Sequence, residues 1–437
     1  MSLLSSAPAG FSAADLLKLK RFITDSLTRE LDGENPPYEQ RKVFIDQKLA
    51  DIFGRLPANL PDSIRQQVTQ EVINDVLGYG PIQPLLDDPD VSEIMVNGPK
   101  SVYVEKKGQL IKTGVSFENN DQVLRVIDRI ILPLGRRIDA ETPTVDARLP
   151  DGSRVNAVIP PVAIDGASIT IRKFRKDKLS VQQLIEFGSL TPAMAEFLRA
   201  CVLSRLNIVV SGGTGSGKTT LLNVLSSMIP ENERIVTIED AAELQLQQDH
   251  VLRLETRPAN LEGKGMVTIR DLVRNSLRMR PDRIIVGECR GGETFDMLQA
   301  MNTGHDGSLT TLHANTSRDA LSRLETMVMM AGLDLPIKVI RQQVSSAVDL
   351  IIQQTRLQGG DRKVVAITEV AGMEGDTIVL TDIFRYEQTG MSPEGKSIGQ
   401  IKPTGIRPLF GPRLEAAGFK LGAELFGVNM GDALRRR

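Results

Sequence analysis

A run of glycines, hydroxyl residues and one lysine near the middle of the chain has the spacing of a phosphate-binding loop. Glycines let successive backbone N–H groups turn toward a polyphosphate, a lysine after the last glycine reaches the terminal phosphates, and the next hydroxyl ligates Mg²⁺. An apolar run before the loop predicts a buried strand, and leucines after it predict a helix whose N-terminus favours anions. A flexible linker is the alternative, but strand, loop and helix follow in the required order. The residues of this loop are Gly212, Gly213, Thr214, Gly215, Ser216, Gly217, Lys218, Thr219 and Thr220.

Hydrolysis of a bound triphosphate also needs carboxylates, and two apolar runs end in them. Residues 235–238 precede Glu239 and Asp240, and residues 284–287 precede Glu288. In an open α/β sheet, residues at the carboxyl ends of strands point into the ligand crevice. The second run has the form of a Walker B strand, so Glu288 is expected to reach Mg²⁺ through water or to activate the nucleophile. On the pattern alone, a helix cap explains Glu239 equally well, and an exposed acid on an ordinary strand stays possible for Glu288.

Histidines and arginines are the remaining candidates for contact with phosphate. Two of the three histidines, His305 and His313, lie in a stretch rich in glycine and threonine. A phosphate sensor and a hydrogen-bonded core histidine account for them about equally, whereas a metal site is a poor explanation because no cysteine is near. Arg148, Arg154 and Arg172 lie on predicted strands ahead of the nucleotide-binding region. Most arginines are solvated, so each is a weak candidate unless a neighbouring subunit brings it to the nucleotide.

Composition sets the broad class of the protein. The chain has 437 residues, a formal net charge of −2, 41% hydrophobic and 25% charged residues, which is ordinary for a globular protein of two or three domains. No overall basic field attracts nucleic acid. The two cysteines do not suggest a disulfide framework. The N-terminus lacks the pattern of a signal peptide and no long apolar run spans a membrane, so we expect a cytoplasmic protein.

Hydrophobic periodicity predicts the elements that position these residues. Helical spacing after residue 11, then over 38–56 and 60–77, predicts a helical module whose faces pack together, although basic amphipathic helices also bind membranes. Strand-like alternation follows, and then strands alternate with helices, which favours a mainly parallel sheet. Its predicted strands are 208–210, 235–238, 283–286 and 308–311. The predicted organisation is a disordered tail (1–10), a helical module (11–77), an α+β domain (78–174), a linker (175–190) and an α/β nucleotide-binding domain with a C-terminal extension (191–437).

Taken in order, four motifs resemble the secretion ATPase superfamily, which includes type II and type IV secretion motors and type IV pilus ATPases. GGTGSGKTT, TIED, LRMRPDRIIVGECRGGET and TGHDGSLTTLHANTSRDALSRL correspond to its Walker A, Asp box, Walker B and His box. LGYGPIQPLLDDPDVSEIMVNGPKSVYVEKKG, RLPDGSRVNAVIPP and ITIRKF are similar to the tight-adherence (Flp, or type IVc) pilus ATPases of the CpaF/TadA type. Type II ATPases carry four zinc-binding cysteines and this chain has two in all. Type IV secretion ATPases share most of these motifs and are the alternative.

The resemblance implies an α/β fold in which a RecA-like P-loop ATPase domain follows the α+β domain and the helical module. It also implies a cytoplasmic homohexamer that binds ATP and Mg²⁺ between these domains and drives an inner-membrane pilus platform, with indirect membrane association and no nucleic acid. Thr219 and Glu288 would hold Mg²⁺, Lys218 would contact the phosphates, and Glu239 would be the general base, although the two glutamates could exchange roles. His305 and His313 would respond to the γ-phosphate, and Arg148, Arg154 and Arg172 would face the nucleotide.

Two other classes of protein remain as rivals. A nucleic-acid translocase shares the RecA-like core, but it predicts a basic path lined with aromatic residues. Aromatic residues make up 4% of this chain and tryptophan is absent. An assembly factor that binds ATP without useful hydrolysis would keep the phosphate loop. Measurement of turnover separates it from a motor.

Overall fold

The computed structural model describes residues 13–33, 41–55, 60–106, 108–174, 179–259, 263–393 and 395–427. The chain forms two compact units, one ending at Lys176 and one starting at Asp177. The predicted disordered tail lies outside the described residues.

Three helices open the first unit, because apolar residues recur along each at helical spacing. They are α1 (Ala13–Gly33), α2 (Arg41–Gly54) and α3 (Asp62–Val76), and they start and end close to the predicted helices. Leucines, isoleucines and valines from all three helices form one buried cluster. The helices therefore bury their apolar faces against each other, as predicted. A short helix, α4 (Gln83–Asp87), follows.

The rest of the first unit is an antiparallel sheet covered by one helix. Its six strands have the order β3-β2-β1-β6-β5-β4. Helix α5 (Asn120–Ile131) buries Val123, Val126 and Ile127 in the same cluster as Val155 and Ala157 of the sheet. The side chain of Asn119 caps this helix by accepting a hydrogen bond from the backbone of Gln122. The strands are β1 (Val91–Asn97), β2 (Val102–Lys106), β3 (Gln109–Lys112), β4 (Thr144–Arg148), β5 (Arg154–Val158) and β6 (Ser168–Arg172).

A sheet of nine strands forms the second unit. Its order is β15-β14-β13-β12-β7-β11-β10-β8-β9, in which β13 (Arg362–Glu374), β14 (Thr377–Met391) and β15 (Ser397–Pro403) belong to the C-terminal extension. The six strands from β12 to β9 are parallel to one another, as the alternation of strands and helices predicted. Large apolar clusters cover both faces, which explains why the central strands are almost wholly apolar. These strands are β7 (Ile208–Gly212), β8 (Ile235–Glu239), β9 (Val251–Glu255), β10 (Arg283–Val286), β11 (Leu309–Leu312) and β12 (Leu350–Arg356).

Helices lie between these strands on both faces of the sheet. Two of them precede β7, and the one that follows β7 begins at the lysine of the phosphate loop. This arrangement is the α/β fold that the sequence predicted, a mainly parallel sheet with helices between its strands, in the unit that follows the α+β region. The helices are α6 (Val181–Glu186), α7 (Pro192–Leu203), α8 (Lys218–Ser226), α9 (Ile269–Ser276), α10 (Glu293–Asn302), α11 (Ser317–Met329) and α12 (Ile337–Ala347).

The C-terminal extension continues the same sheet with three antiparallel strands. They are β13 (Arg362–Glu374), β14 (Thr377–Met391) and β15 (Ser397–Pro403). Residues 363–369 and 377–386 have strand-like patterns in the sequence, which predict shorter versions of the first two strands, whereas no pattern predicts the third. A helix, α13 (Gly411–Ala416), then returns the chain to α7, where Phe197 packs 5.6 to 6.2 Å from the rings of Phe384, Phe410 and Phe426. The extension is therefore part of the core of the second unit.

Candidate nucleotide-binding site

The predicted phosphate loop connects the carboxyl end of β7 to the start of α8. Gly215 and Gly217 adopt positive φ angles of +69° and +99°, which side chains rarely adopt. A Cβ on Gly212 would lie 2.2 Å from the carbonyl oxygen of Gln354. Ser216 Oγ donates to the carbonyl of Gly213 at 2.9 Å. Glycine is thus required at these positions by backbone conformation or by close packing, and Thr219 and Thr220 lie in the first turn of α8.

Lys218 folds back over the loop that it follows. It is only 7% exposed, and its Nζ donates to the carbonyl oxygen of Gly213 at 3.0 Å. The same Nζ lies 3.4 Å from each ring nitrogen of His313. The ammonium group therefore lies directly over the space that the loop encloses, between its own loop and the residue that follows β11.

Parallel register brings the acidic candidates to the same edge of the sheet. Leu312 of β11 pairs with Ser211 of β7, and Ile238 of β8 pairs with Val286 of β10. The residues that follow these strands therefore leave the sheet at its carboxyl edge, where open α/β sheets bind ligands. Lys218, Glu239, Glu288 and His313 all belong to this edge.

Glu288 is held by two cationic or basic groups. Its Oε1 lies 2.9 Å from Nε2 of His313, and its Oε2 accepts a hydrogen bond of 2.7 Å from Arg290. A second nitrogen of Arg290 lies 3.6 Å from Asp240, the acid that follows β8. Burial and the positive charge of Lys218 lower the pKa of His313, and the Glu288 carboxylate opposes them. His313 is therefore neutral at pH 7.

Glu239 is the most enclosed ionisable residue of the site. It is 4% exposed, and its Oε2 accepts hydrogen bonds from the backbone N–H groups of Glu243 and Leu244 at 2.7 and 2.9 Å. A Cβ on Gly287 would lie 2.8 Å from Cγ of Glu239. Its Oε1 is buried with no hydrogen-bond partner in the described part of the chain. Burial raises the pKa of Glu239 to about 7, although the two backbone donors oppose this shift. A carboxyl group with this pKa exchanges a proton near neutral pH, as a general base requires.

The structure separates the two histidines that the sequence grouped together. His305 precedes β11, whereas His313 follows it. At the end of the strand near His305, Asn207 Oδ1 accepts hydrogen bonds from the backbone of Gly307 and Ser308 at 2.9 and 3.0 Å. Asn207 precedes β7 and thus marks the amino edge of the sheet, opposite the phosphate loop. His305 therefore lies at the opposite edge of the sheet from the phosphate loop, and its expected response to the γ-phosphate stays a prediction.

The three arginines belong to the first unit and form a row. Arg148 pairs with Arg154 across β4 and β5, and Arg154 pairs with Arg172 across β5 and β6. Paired residues on adjacent strands project from the same face of a sheet. Val155 and Ala157 alternate with this row and are buried under α5. The arginines therefore lie on the face of the sheet that α5 does not cover, where Glu93 of β1 pairs with Arg172 at one end of the row.

Sequence reasoning missed several polar residues that contact the site. Arg290 lies two residues after Glu288 in the stretch that corresponds to Walker B, and this position could have identified it. Gln354 of β12 is buried beside Gly212 and Gly217, and Arg362 of β13 donates its Nε to the carbonyl oxygen of Gly215 at 2.8 Å. No local pattern identified these two residues, because the sheet order alone places β12 beside β7.

The polar groups at the loop fit Mg²⁺ bound together with a nucleotide. Thr219 and Glu288 supply one hydroxyl and one carboxylate, and Mg²⁺ in phosphate sites typically uses one or two protein ligands plus phosphate oxygens and water. Within the described ranges, no group of three or more His, Cys, Asp or Glu side chains is arranged to hold a metal by itself. A Mg²⁺ ion at this site would therefore need phosphate oxygens and water to complete its shell.

Among the described helices, none combines the length and the apolar character needed to cross a membrane.

Comparisons with known proteins agree with the four motifs. The sequence matches the family described as "Type II/IV secretion system protein" over residues 75–367. A protein of Mycobacterium tuberculosis (strain H37Rv) named for conjugal transfer is 37% identical over 333 residues, which cover 75% of this chain and 94% of that protein. The type IV secretion system protein PtlH of Bordetella pertussis is 36% identical, with 65% and 92% covered. The crystal structure of the VirB11 ATPase from the type IV secretion system of Brucella suis is 31% identical, covers 66% of this chain and 94% of its own, and has a TM-score of 0.37. The chain belongs to the type II/IV secretion system protein family.

Proposed function

We propose that this chain is a Mg²⁺-dependent ATPase that powers a secretion machine of the type IV kind. The observation that carries the proposal is the convergence of Lys218, Glu239, Glu288 and His313 at the carboxyl edge of one parallel sheet, next to a phosphate loop with the required backbone conformation. Family membership and the relatives named for conjugal transfer and type IV secretion support it.

Each group has a role that its surroundings allow. Lys218 leaves the Gly213 carbonyl and neutralises the terminal phosphates. Backbone N–H groups of the loop, together with Thr219 and Thr220 at the start of α8, bind the other phosphate oxygens. Thr219 and Glu288 would hold Mg²⁺, which would supply positive charge beside the phosphates. Glu239, with a pKa of about 7, accepts the proton of the attacking water. His313 contacts both Lys218 and Glu288 and responds when the γ-phosphate is lost.

A pilus motor of the tight-adherence type is the second candidate. The observation in its favour is the helical module of α1, α2 and α3, most of which precedes the family match that starts at residue 75. Motifs in the first unit favoured this branch, whereas the names of the relatives favour type IV secretion. Either machine would use a cytoplasmic homohexamer that meets the inner membrane through platform proteins. The row of Arg148, Arg154 and Arg172 would supply the nucleotide contacts of the first unit in that ring.

Phosphate release with and without Mg²⁺ tests the ATPase assignment. The Glu288→Gln variant keeps the shape of the side chain but removes its charge, so we expect it to bind fluorescent ATP normally and to lose hydrolysis by about 100-fold or more. Glu415→Gln, which changes an exposed acid on α13, serves as the matched control. Wild-type turnover in Glu288→Gln, or turnover that ignores removal of Mg²⁺ by a chelator, would contradict the proposal.

A further inference from the structure

The turn between β12 and β13 lies against the phosphate loop, although it is about 140 residues away in the sequence. Gln354, near the end of β12, is 3% exposed and pairs with Gly212 of β7. A Cβ on Gly217 would lie 3.1 Å from the amide nitrogen of Gln354 and 3.3 Å from Cδ of Arg362. These two side chains thus form an outer wall of the loop within the same unit.

Arg362 makes a directed contact with this loop. Its Nε donates to the carbonyl oxygen of Gly215 at 2.8 Å. The backbone of Arg362 is itself fixed, because its carbonyl accepts a hydrogen bond of 2.6 Å from Ser189, and the backbone N–H of Val364 donates to Ser189 at 3.0 Å. A guanidinium on a paired strand with an anchored backbone is therefore in place to restrain a loop that glycines leave pliable.

A loop that binds phosphate through N–H groups must keep its carbonyl oxygens pointing away from the anion. Lys218 satisfies the carbonyl of Gly213 in the structure, but a lysine that moves to the phosphates gives up that contact. The contact from Arg362 to Gly215 comes from outside the loop and does not depend on Lys218. It also places a positive charge beside a site for a polyanion.

We propose that Arg362 is a positioning residue of the nucleotide site: it holds the Gly215 carbonyl outward so that the loop is ready to bind a nucleoside triphosphate. This inference rests on the proposed ATPase function. If the Arg362 side chain is removed, the loop is no longer held in its binding conformation. The bound nucleotide and the transition state then lose the same amount of binding free energy. A loss of this kind raises KM and leaves kcat nearly unchanged, whereas a damaged fold or a lost catalytic group lowers kcat.

Steady-state kinetics with Mg–ATP test the proposal. We expect Arg362→Ala to raise KM by about 10-fold or more, as for a hydrogen bond to a charged group, with kcat within about 3-fold of wild type. Arg362→Lys retains one cationic donor and should recover most of the affinity. Arg356→Ala removes the exposed arginine that pairs with Arg362 on β12 and should keep the wild-type KM, which makes it the matched control.

Two results would overturn the inference: a wild-type KM in Arg362→Ala, or a fall in kcat with KM unchanged. Lys218→Ala, measured in the same series, separates this inference from the proposed function. If Lys218→Ala is inactive while Arg362→Ala behaves as wild type, the ATPase assignment stands and the role of Arg362 is wrong. If Lys218→Ala remains fully active, the proposed function fails, and the inference fails with it.

Discussion

Burial decides the charge state of the groups that surround the phosphate loop. Glu239 is enclosed by β8 and the segment that follows it, and with a pKa of about 7 it is partly protonated at neutral pH. His313 has a lowered pKa because burial and Lys218 both disfavour its charged form. The site is therefore less charged before nucleotide binds than its residue types suggest. An incoming polyanion meets a lysine whose neighbouring histidine is neutral.

The raised pKa of Glu239 makes folding stability depend on pH. Folding takes up a proton between the ordinary pKa of 4.5 and the folded value of about 7. The associated stabilisation is complete below the lower value and is lost as the pH rises through the upper one. We expect wild-type protein to lose on the order of 3 kcal/mol more than Glu239→Gln between about pH 5 and about pH 8.

Melting temperatures across this range measure the difference. Glu255→Gln is the matched control, since Glu255 pairs with Glu239 on β9 but is exposed. Equal pH dependence in wild type and Glu239→Gln would show that Glu239 is ionised throughout.

Local sequence patterns predicted most of the strands of the second unit, whereas the order of the strands in the sheet determined which residues lie beside the phosphate loop. Buried strands 208–210, 235–238 and 283–286 were predicted from apolar runs, and each lies within an observed strand. Strand β15 was missed because its two isoleucines, Ile398 and Ile401, lie three residues apart and therefore on opposite faces, so neither face shows an apolar alternation. The contact of Arg362 with Gly215 joins residues 147 apart in the sequence, and no local spacing predicts it. The predicted strand 308–311 already placed His305 before it and His313 after it, so the expectation that both respond to the γ-phosphate came from the resemblance and not from the strand pattern.

The loop before β11 depends on a close approach that only glycine allows. Gly307 has a φ of +83°, and a Cβ there would lie 1.8 Å from Nη1 of Arg283. Arg283 is fully buried and its Nε donates to Glu233 at 2.5 Å, so it cannot move without leaving a buried charge unpaired. We expect Gly307→Ala to destabilise the protein by about 2–4 kcal/mol.

Thermal unfolding tests this prediction against a control in the same loop. Gly304 also has a positive φ of +94°, but its Cβ would meet no atom within 4 Å. Gly304→Ala should therefore show backbone strain alone, about 1 kcal/mol. Equal losses in the two variants would mean that Arg283 is not the cause.

The whole molecule places its cationic row and its phosphate loop in different units. The row of Arg148, Arg154 and Arg172 lies on the antiparallel sheet, and the loop lies on the parallel sheet. A motor that uses both would convert loss of the γ-phosphate into loss of contacts on one unit, which changes the preferred arrangement of the subunit. Arg154 and Arg172 are exposed, so we expect their replacement to cost little folding stability.

We expect the double variant Arg154→Ala with Arg172→Ala to lower kcat/KM for Mg–ATP by about 10-fold or more, because charge-assisted contacts to phosphate are lost. Its melting temperature should stay close to that of wild type. Arg125→Ala, an exposed arginine on α5, which covers the other face of the sheet, is the control. Wild-type kinetics in the double variant would remove the arginine row from the nucleotide site.

Turnover of Mg–ATP by Lys218→Ala decides whether the phosphate loop is the site of hydrolysis, with Lys338→Ala, which changes an exposed lysine paired with Asp376, measured beside it. If the phosphate loop is the site of hydrolysis, Lys218→Ala loses activity by about 100-fold or more while Lys338→Ala matches wild type. Wild-type turnover in Lys218→Ala would contradict the account.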